Sequence, residues 1–209
     1  MSASDLFDLY FRQCPLIGII RGVTPDEALA TARALYEGGI RIIEVPLNSP
    51  DPLTSIRTIS GHLGEEALVG AGTVLTVDDV EKVNQAGGRL VVSPNMNPDV
   101  IRATAERGIV SCPGIFTPTE AFAALKAGAT VIKLFPAEAA SPKVVKAMRA
   151  VLPKDSTLLI VGGVTPESMK PWLETGANGF GLGGGLYKPG QPPEETLAKA
   201  KAYVEALKA

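Results

Sequence analysis

Short apolar runs alternate along this chain with longer stretches in which apolar residues recur at helical spacing. The runs fall at roughly 15–20, 40–46, 67–72, 89–94, 109–113, 129–135, 157–162 and 178–183. They are apolar on both faces, as in parallel strands covered by helices. Helix starts are marked by a capping residue followed by proline, at Thr24-Pro25, Ser49-Pro50, Asn97-Pro98, Thr117-Pro118, Ser141-Pro142 and Thr165-Pro166. Proline suits the first helical position, where no amide donor is required. Thr24 with Glu27 and Thr117 with Glu120 also have capping-box spacing. Glycines at Gly38-Gly39, Gly87-Gly88, Gly108, Gly128 and Gly176 end the helices just before the next run.

Eight strands alternating with helices imply right-handed crossovers and an α/β fold, a closed (β/α)8 TIM barrel, with a doubly wound open sheet as the lesser alternative. A short amphipathic stretch from Ser4 to Gln13 carries Leu6, Leu9 and Tyr10 at helical spacing and is placed to plug one end of the barrel. No linker divides the chain, so residues 1–209 are expected to form a single barrel domain.

Composition narrows the partners. Charged residues make up 20% of the chain and the formal net charge is −2, which argues against a nucleic-acid ligand. The acidic start lacks the basic and apolar regions of a leader, and no apolar run reaches membrane-spanning length, so a cytoplasmic protein without a membrane partner is expected. Cys14 and Cys112 lie far apart and read as reduced core residues, and His62 is the only histidine and reads as an exposed helix-end residue. No metal and no cofactor is expected.

The chemistry gathers at the ends of the strands. Lys133, in Ala129-Thr-Val-Ile-Lys-Leu-Phe-Pro136, places an ammonium inside an apolar run. Burial favours the neutral amine, and a neutral lysine is a nucleophile toward carbonyls. Snorkelling to the strand end, or a structural ion pair, is the plainer alternative. Glu44 lies in the second strand and Lys133 in the sixth. Both strands are even-numbered, so their inward side chains share a layer and can face each other across the barrel. A carboxylate and an amine there would be an expensive filling for structure alone and suit proton transfer beside a nucleophile. Arg21, Thr73 and Pro94 end the first, third and fourth strands. Glycines 162–163 and 183–185 end the last two, where barrels frequently bind phosphate through backbone amides.

Taken together, Ile20-Arg-Gly22, Glu44-Val-Pro-Leu-Asn-Ser-Pro50, Gly70-Ala-Gly-Thr-Val74, Ser93-Pro-Asn95, Lys133-Leu-Phe-Pro136 and Val161-Gly-Gly-Val-Thr-Pro166 resemble the KDPG and KDPGal aldolases, over nearly the whole chain and in order. The resemblance implies a metal-free class I aldolase, usually a homotrimer, that reversibly splits a 2-keto-3-deoxy-6-phospho sugar acid into pyruvate and D-glyceraldehyde 3-phosphate. Carried onto this chain, Lys133 forms the imine and Glu44 moves protons. Arg21 and Thr73 then suit the substrate carboxylate, and Phe135 and Pro94 wall the pyruvate half. Gly162, Gly163, Gly183 and Gly184 would hold the phosphate.

Within the family, the stretch from Glu44 to Pro50 and Val161 before Gly162 lean toward the galactonate branch, since gluconate-branch members tend to carry threonine-arginine and threonine at these places. A gluconate-specific or dual enzyme is the alternative. The strand-eight loop departs from the family: Gly183-Gly-Gly185 offers no serine hydroxyl, which implies weaker phosphate binding and tolerance of unphosphorylated substrates. More distant rivals are a phosphosugar isomerase or epimerase, which would not need Lys133 as nucleophile, and a non-catalytic phosphosugar-binding protein.

Overall fold

The computed structural model describes residues 1–208, so Ala209 lies outside the described residues. The strands are β1 Leu16–Ile19, β2 Ile42–Pro46, β3 Leu68–Gly72, β4 Leu90–Val92, β5 Val110–Cys112, β6 Gly114–Ile115, β7 Ile132–Leu134, β8 Leu158–Val161 and β9 Gly179–Leu182. All neighbouring pairs are parallel, in the order β5-β4-β3-β2-β1-β9-β8-β7-β6. The two ends of that order are one stretch of chain, interrupted at Pro113. The Lys133 amide donates to Pro113 O at 3.0 Å and the Ser93 amide to Cys112 O at 3.2 Å, so residues 110–115 bridge β4 and β7 and the barrel closes. The fifth barrel strand is thus split and runs two residues past the stretch expected from the sequence. A proline, having no N–H, interrupts a ladder in this way.

Helix α1 Ala3–Gln13 precedes the barrel, and helices α2 Pro25–Glu37, α3 Pro52–Leu63, α4 Val77–Gln85, α5 Pro98–Glu106, α6 Pro118–Lys126, α7 Pro142–Arg149, α8 Met169–Glu174 and α9 Pro193–Ala206 surround it. Among the described residues, no helix is long and apolar enough to cross a membrane. Thr24, Asn97, Thr117 and Ser141 occupy the expected N-cap positions, and the amide of Glu120 donates to Thr117 Oγ1 while its carboxylate accepts from the Thr117 amide. Gly39, Gly87, Gly108, Gly128 and Gly176 all take positive φ.

Two expected starts differ. Thr165-Pro166 opens a 3-10 turn, Pro166–Ser168, and α8 follows it. Ser49-Pro50 does not open a helix: α3 begins at Pro52 after Asp51, which has φ 36°. The Ser49 hydroxyl is occupied elsewhere, accepting from the Gly22 amide at 2.9 Å.

The core forms two shells. Ile43, Val45, Val69, Val91, Ile132, Leu134 and Ile160 face the helices, while Ile17, Ile42, Leu68, Leu90, Val110, Val131 and Leu159 fill the barrel interior. Leu6, Phe7 and Tyr10 of α1 belong to the interior cluster and stopper its N-terminal end. Burying each large side chain there contributes about 1.5–3 kcal/mol. A capping box at Ser2 starts this helix, and the Tyr10 hydroxyl donates to Glu65 O. With that end closed, the barrel interior opens at the C-terminal ends of the strands.

Candidate active site

Alternation along a strand decides what enters this space. In β2, Ile43 and Val45 turn to the helices while Ile42 and Glu44 turn inward. In the sixth barrel strand, Ile132 and Leu134 turn outward, and Val131, Lys133 and Phe135 inward. Glu44 and Lys133 therefore reach one cavity of about 430 Å³ at the C-terminal face, although their strands are not neighbours. The same cavity is lined by all of the residues expected from the sequence: Arg21, Thr73, Pro94, Phe135, Val161, Gly162, Gly163, Gly183 and Gly184 join the pair.

Both ionisable side chains are buried, Glu44 at 2% exposure and Lys133 at 6%. Beneath them lies a void of about 10 Å³ lined by Ile17, Val92, Cys112 and Leu159, too small for more than one water. Glu44 Oε2 has no hydrogen-bond partner among the described residues. Burial pushes the Glu44 carboxyl above its ordinary range, and the charges of Lys133 and Arg21 oppose that rise. The result is a desolvated carboxyl with an unused acceptor, facing the same space as an amine. Lys133 Nζ stands 4.9 Å from the centroid of the Phe135 ring, which forms one wall.

Arg21 follows β1 and is exposed on the cavity rim. Its Nη1 donates to Asn48 Oδ1 at 2.6 Å and more weakly to Thr73 Oγ1 at 3.4 Å. Thr73 has φ 56°, a conformation uncommon outside glycine, and its hydroxyl thereby turns toward Arg21. At the other end, Gly162 and Gly163 have φ 117° and 62° and approach the Glu138 side chain. Among the described residues, no group of three or more histidine, cysteine, aspartate or glutamate side chains is placed to hold a metal ion.

Sequence reading missed Asn48 and Glu138. Asn48 lies inside the quoted Glu44 to Pro50 stretch, and only the fold brings its amide to Arg21. Glu138 lies on a 3-10 turn, Ala137–Ala139, just past Pro136, and no spacing signal points to it. Thr165 and Ile19 also line the cavity.

The family model for KDPG and KHG aldolase matches residues 8–194. The chain belongs to that aldolase family. Members of the family are carbon-carbon lyases. The chain is 47% identical to the 2-dehydro-3-deoxy-6-phosphogalactonate aldolase of Escherichia coli K12 over 93% of its length and 95% of the relative's. It is 33% identical to the KHG/KDPG aldolase of the same strain, over 76% and 74%. A solved native KDPGal structure superposes with a TM-score of 0.92 at 46% identity, covering 94% of this chain and 95% of the other. The family's barrel is the architecture found here, so the sequence expectation of a (β/α)8 fold holds.

Proposed function

We propose that this chain is a class I aldolase that reversibly cleaves 2-dehydro-3-deoxy-6-phospho-D-galactonate into pyruvate and D-glyceraldehyde 3-phosphate. The observation that carries the reading is the burial of Glu44 and Lys133 in one cavity, the carboxyl with an acceptor atom unpartnered. Lys133 Nζ attacks the C2 ketone. The carbinolamine loses water to give a protonated imine, and Glu44 moves the protons that this step requires. Removal of the C4 hydroxyl proton then breaks the C3–C4 bond, whose electron pair passes to the imine. The aldehyde leaves, the enamine takes a proton at C3, and water frees pyruvate.

In this reading Arg21 and Thr73 receive the carboxylate, and Pro94 and Phe135 enclose the pyruvyl half. The backbone amides of Gly162, Gly163, Gly183 and Gly184 hold the phosphate. Val161, 7% exposed, presents methyl groups toward the substrate carbons between these ends and favours the galactonate configuration over the gluconate epimer. Support for the galactonate branch comes from the 47% identical relative. The active form in this proposal is a cytoplasmic homotrimer. Exposed Leu75, Val77, Phe116 and Phe122 supply apolar surface for subunit contacts.

Borohydride reduction in the presence of pyruvate, followed by peptide mass analysis, tests the mechanism. The expected result is a reduced pyruvyl adduct on Lys133. Bound pyruvate without an adduct would favour a metal-free isomerase or a binding protein. Cleavage rates on the two C4 epimers then test the substrate.

A further inference from the structure

The geometry points to Asn48 as a positioning residue that aims the Arg21 guanidinium at the substrate carboxylate, and to the neutrality of its amide as the property that matters. This inference deepens the proposed function and rests on it.

The turns after β1 and β2 are latched together twice. Asn48 Oδ1 accepts from Arg21 Nη1 at 2.6 Å, and one residue later the buried Ser49 hydroxyl accepts from the Gly22 amide at 2.9 Å. From the far side, Pro189 packs on Gly22 so closely that a Cβ there would lie 2.6 Å from Pro189 Cγ. The backbone that carries Arg21 is therefore held between two elements, and Asn48 fixes the side chain itself. Both hydrogen bonds of the Arg21 guanidinium among the described residues use Nη1, and both acceptors, Asn48 Oδ1 and Thr73 Oγ1, are uncharged. Nη2 and Nε remain available to the cavity, and the positive charge stays uncancelled by these contacts.

A flexible arginine on the rim would lose side-chain entropy each time it closed on a carboxylate. The 2.6 Å contact imposes that order beforehand. An aspartate at position 48 would hold the fork equally well in shape but would present Arg21 with a competing carboxylate. Retention of geometry and retention of charge can thus be separated by one atom.

The test compares the unmodified protein with Asn48→Ala and Asn48→Asp, two changes at an exposed loop position. Calorimetric titration of pyruvate reads carboxylate capture, and borohydride trapping at Lys133 reads the imine. Asn48→Ala is expected to weaken pyruvate binding about tenfold, the loss of one ordering contact to a charged group. Asn48→Asp is expected to weaken it further, about 100-fold, with the thermal midpoint unchanged and trapping at saturating pyruvate within about twofold. Pyruvate affinity restored to the original value by aspartate, or left intact by alanine, would overturn the assignment. Absence of an adduct in the unmodified protein would strike the imine reading instead, while the calorimetric series would still decide the role of Asn48.

Discussion

The carboxylate of Glu44 fills the space that a side chain at Gly72 would need: a Cβ on Gly72 would lie 2.6 Å from Glu44 Oε2 and 2.8 Å from its Cδ. The φ of Gly72 lies outside the left-handed region, so the glycine serves room and not backbone freedom. Gly72→Ala is expected to displace the carboxyl and lower the cleavage rate about 100-fold, the scale of a misplaced proton-transfer group, with little change in thermal midpoint. Steady-state cleavage with a melting control checks this. An unchanged rate would mean that Glu44 finds another seat of equal use.

Replacing the two buried groups themselves separates their roles. Lys133→Ala is expected to abolish both cleavage and borohydride trapping, because no other lysine among the described residues lines the cavity. Glu44→Gln is expected to slow cleavage about 100- to 10,000-fold while pyruvate still binds. A Lys133→Ala protein that still cleaves would end the imine mechanism.

Burial of Glu44 also has a pH signature in stability. Its carboxyl is raised in the folded protein above the ordinary value of 4.5, so the folded state binds this proton more tightly than the unfolded chain. Stability from this group is therefore fully present below about 4.5 and declines as the pH rises through the folded value. The melting temperature of Glu44→Gln relative to the unmodified protein should accordingly climb between pH 4 and 8. A difference that is flat, or that falls with pH, would contradict the raised carboxyl.

Both thiols should be silent in the native protein. Burial pushes Cys14 up to about 11 and Cys112 up to about 12. The thiolate is the reactive form, so a thiol reagent at pH 8 should label neither cysteine until denaturant is added, when both of the chain's cysteines react. Rapid native labelling of Cys112 would show that the floor of the cavity opens.

The glycine loop after β9 can be tested by restoring a hydroxyl. A side chain at Gly184 meets nothing within 4 Å and its φ is unstrained. Gly184→Ser is expected to lower KM for the phosphorylated substrate about three- to tenfold, the worth of one neutral hydrogen bond, and to leave an unphosphorylated analogue unaffected. Equal effects on both substrates would place the phosphate elsewhere. Gly163→Ala should behave oppositely, since its φ is +62° and its Cβ would lie 2.9 Å from Glu138 Cγ.

What the sequence disclosed and what it hid follow from the range of the interactions. Caps and left-handed glycines act within a few residues, so Thr117, Asn97 and Gly128 were readable in place. Alternation within β2 and β7 sufficed to send Glu44 and Lys133 inward. Ser49 misled because its hydroxyl serves Gly22, across 27 positions, and not the helix beside it. Asn48 was hidden for the same reason: its partner, Arg21, is adjacent only after β1 and β2 pair. Pro113 read as the end of a strand, whereas the strand resumes beyond it as β6.

The helix α1, seated under the barrel through Leu6, Phe7 and Tyr10, closes the end of the barrel opposite the site, which opens at the C-terminal face. In the proposed reaction the pyruvyl half is tethered at the deep end and the aldehyde half lies toward the opening. Departure is then last in, first out: the aldehyde exits before hydrolysis releases the tethered half. In the synthetic direction the queue reverses, and pyruvate must be seated before the aldehyde arrives.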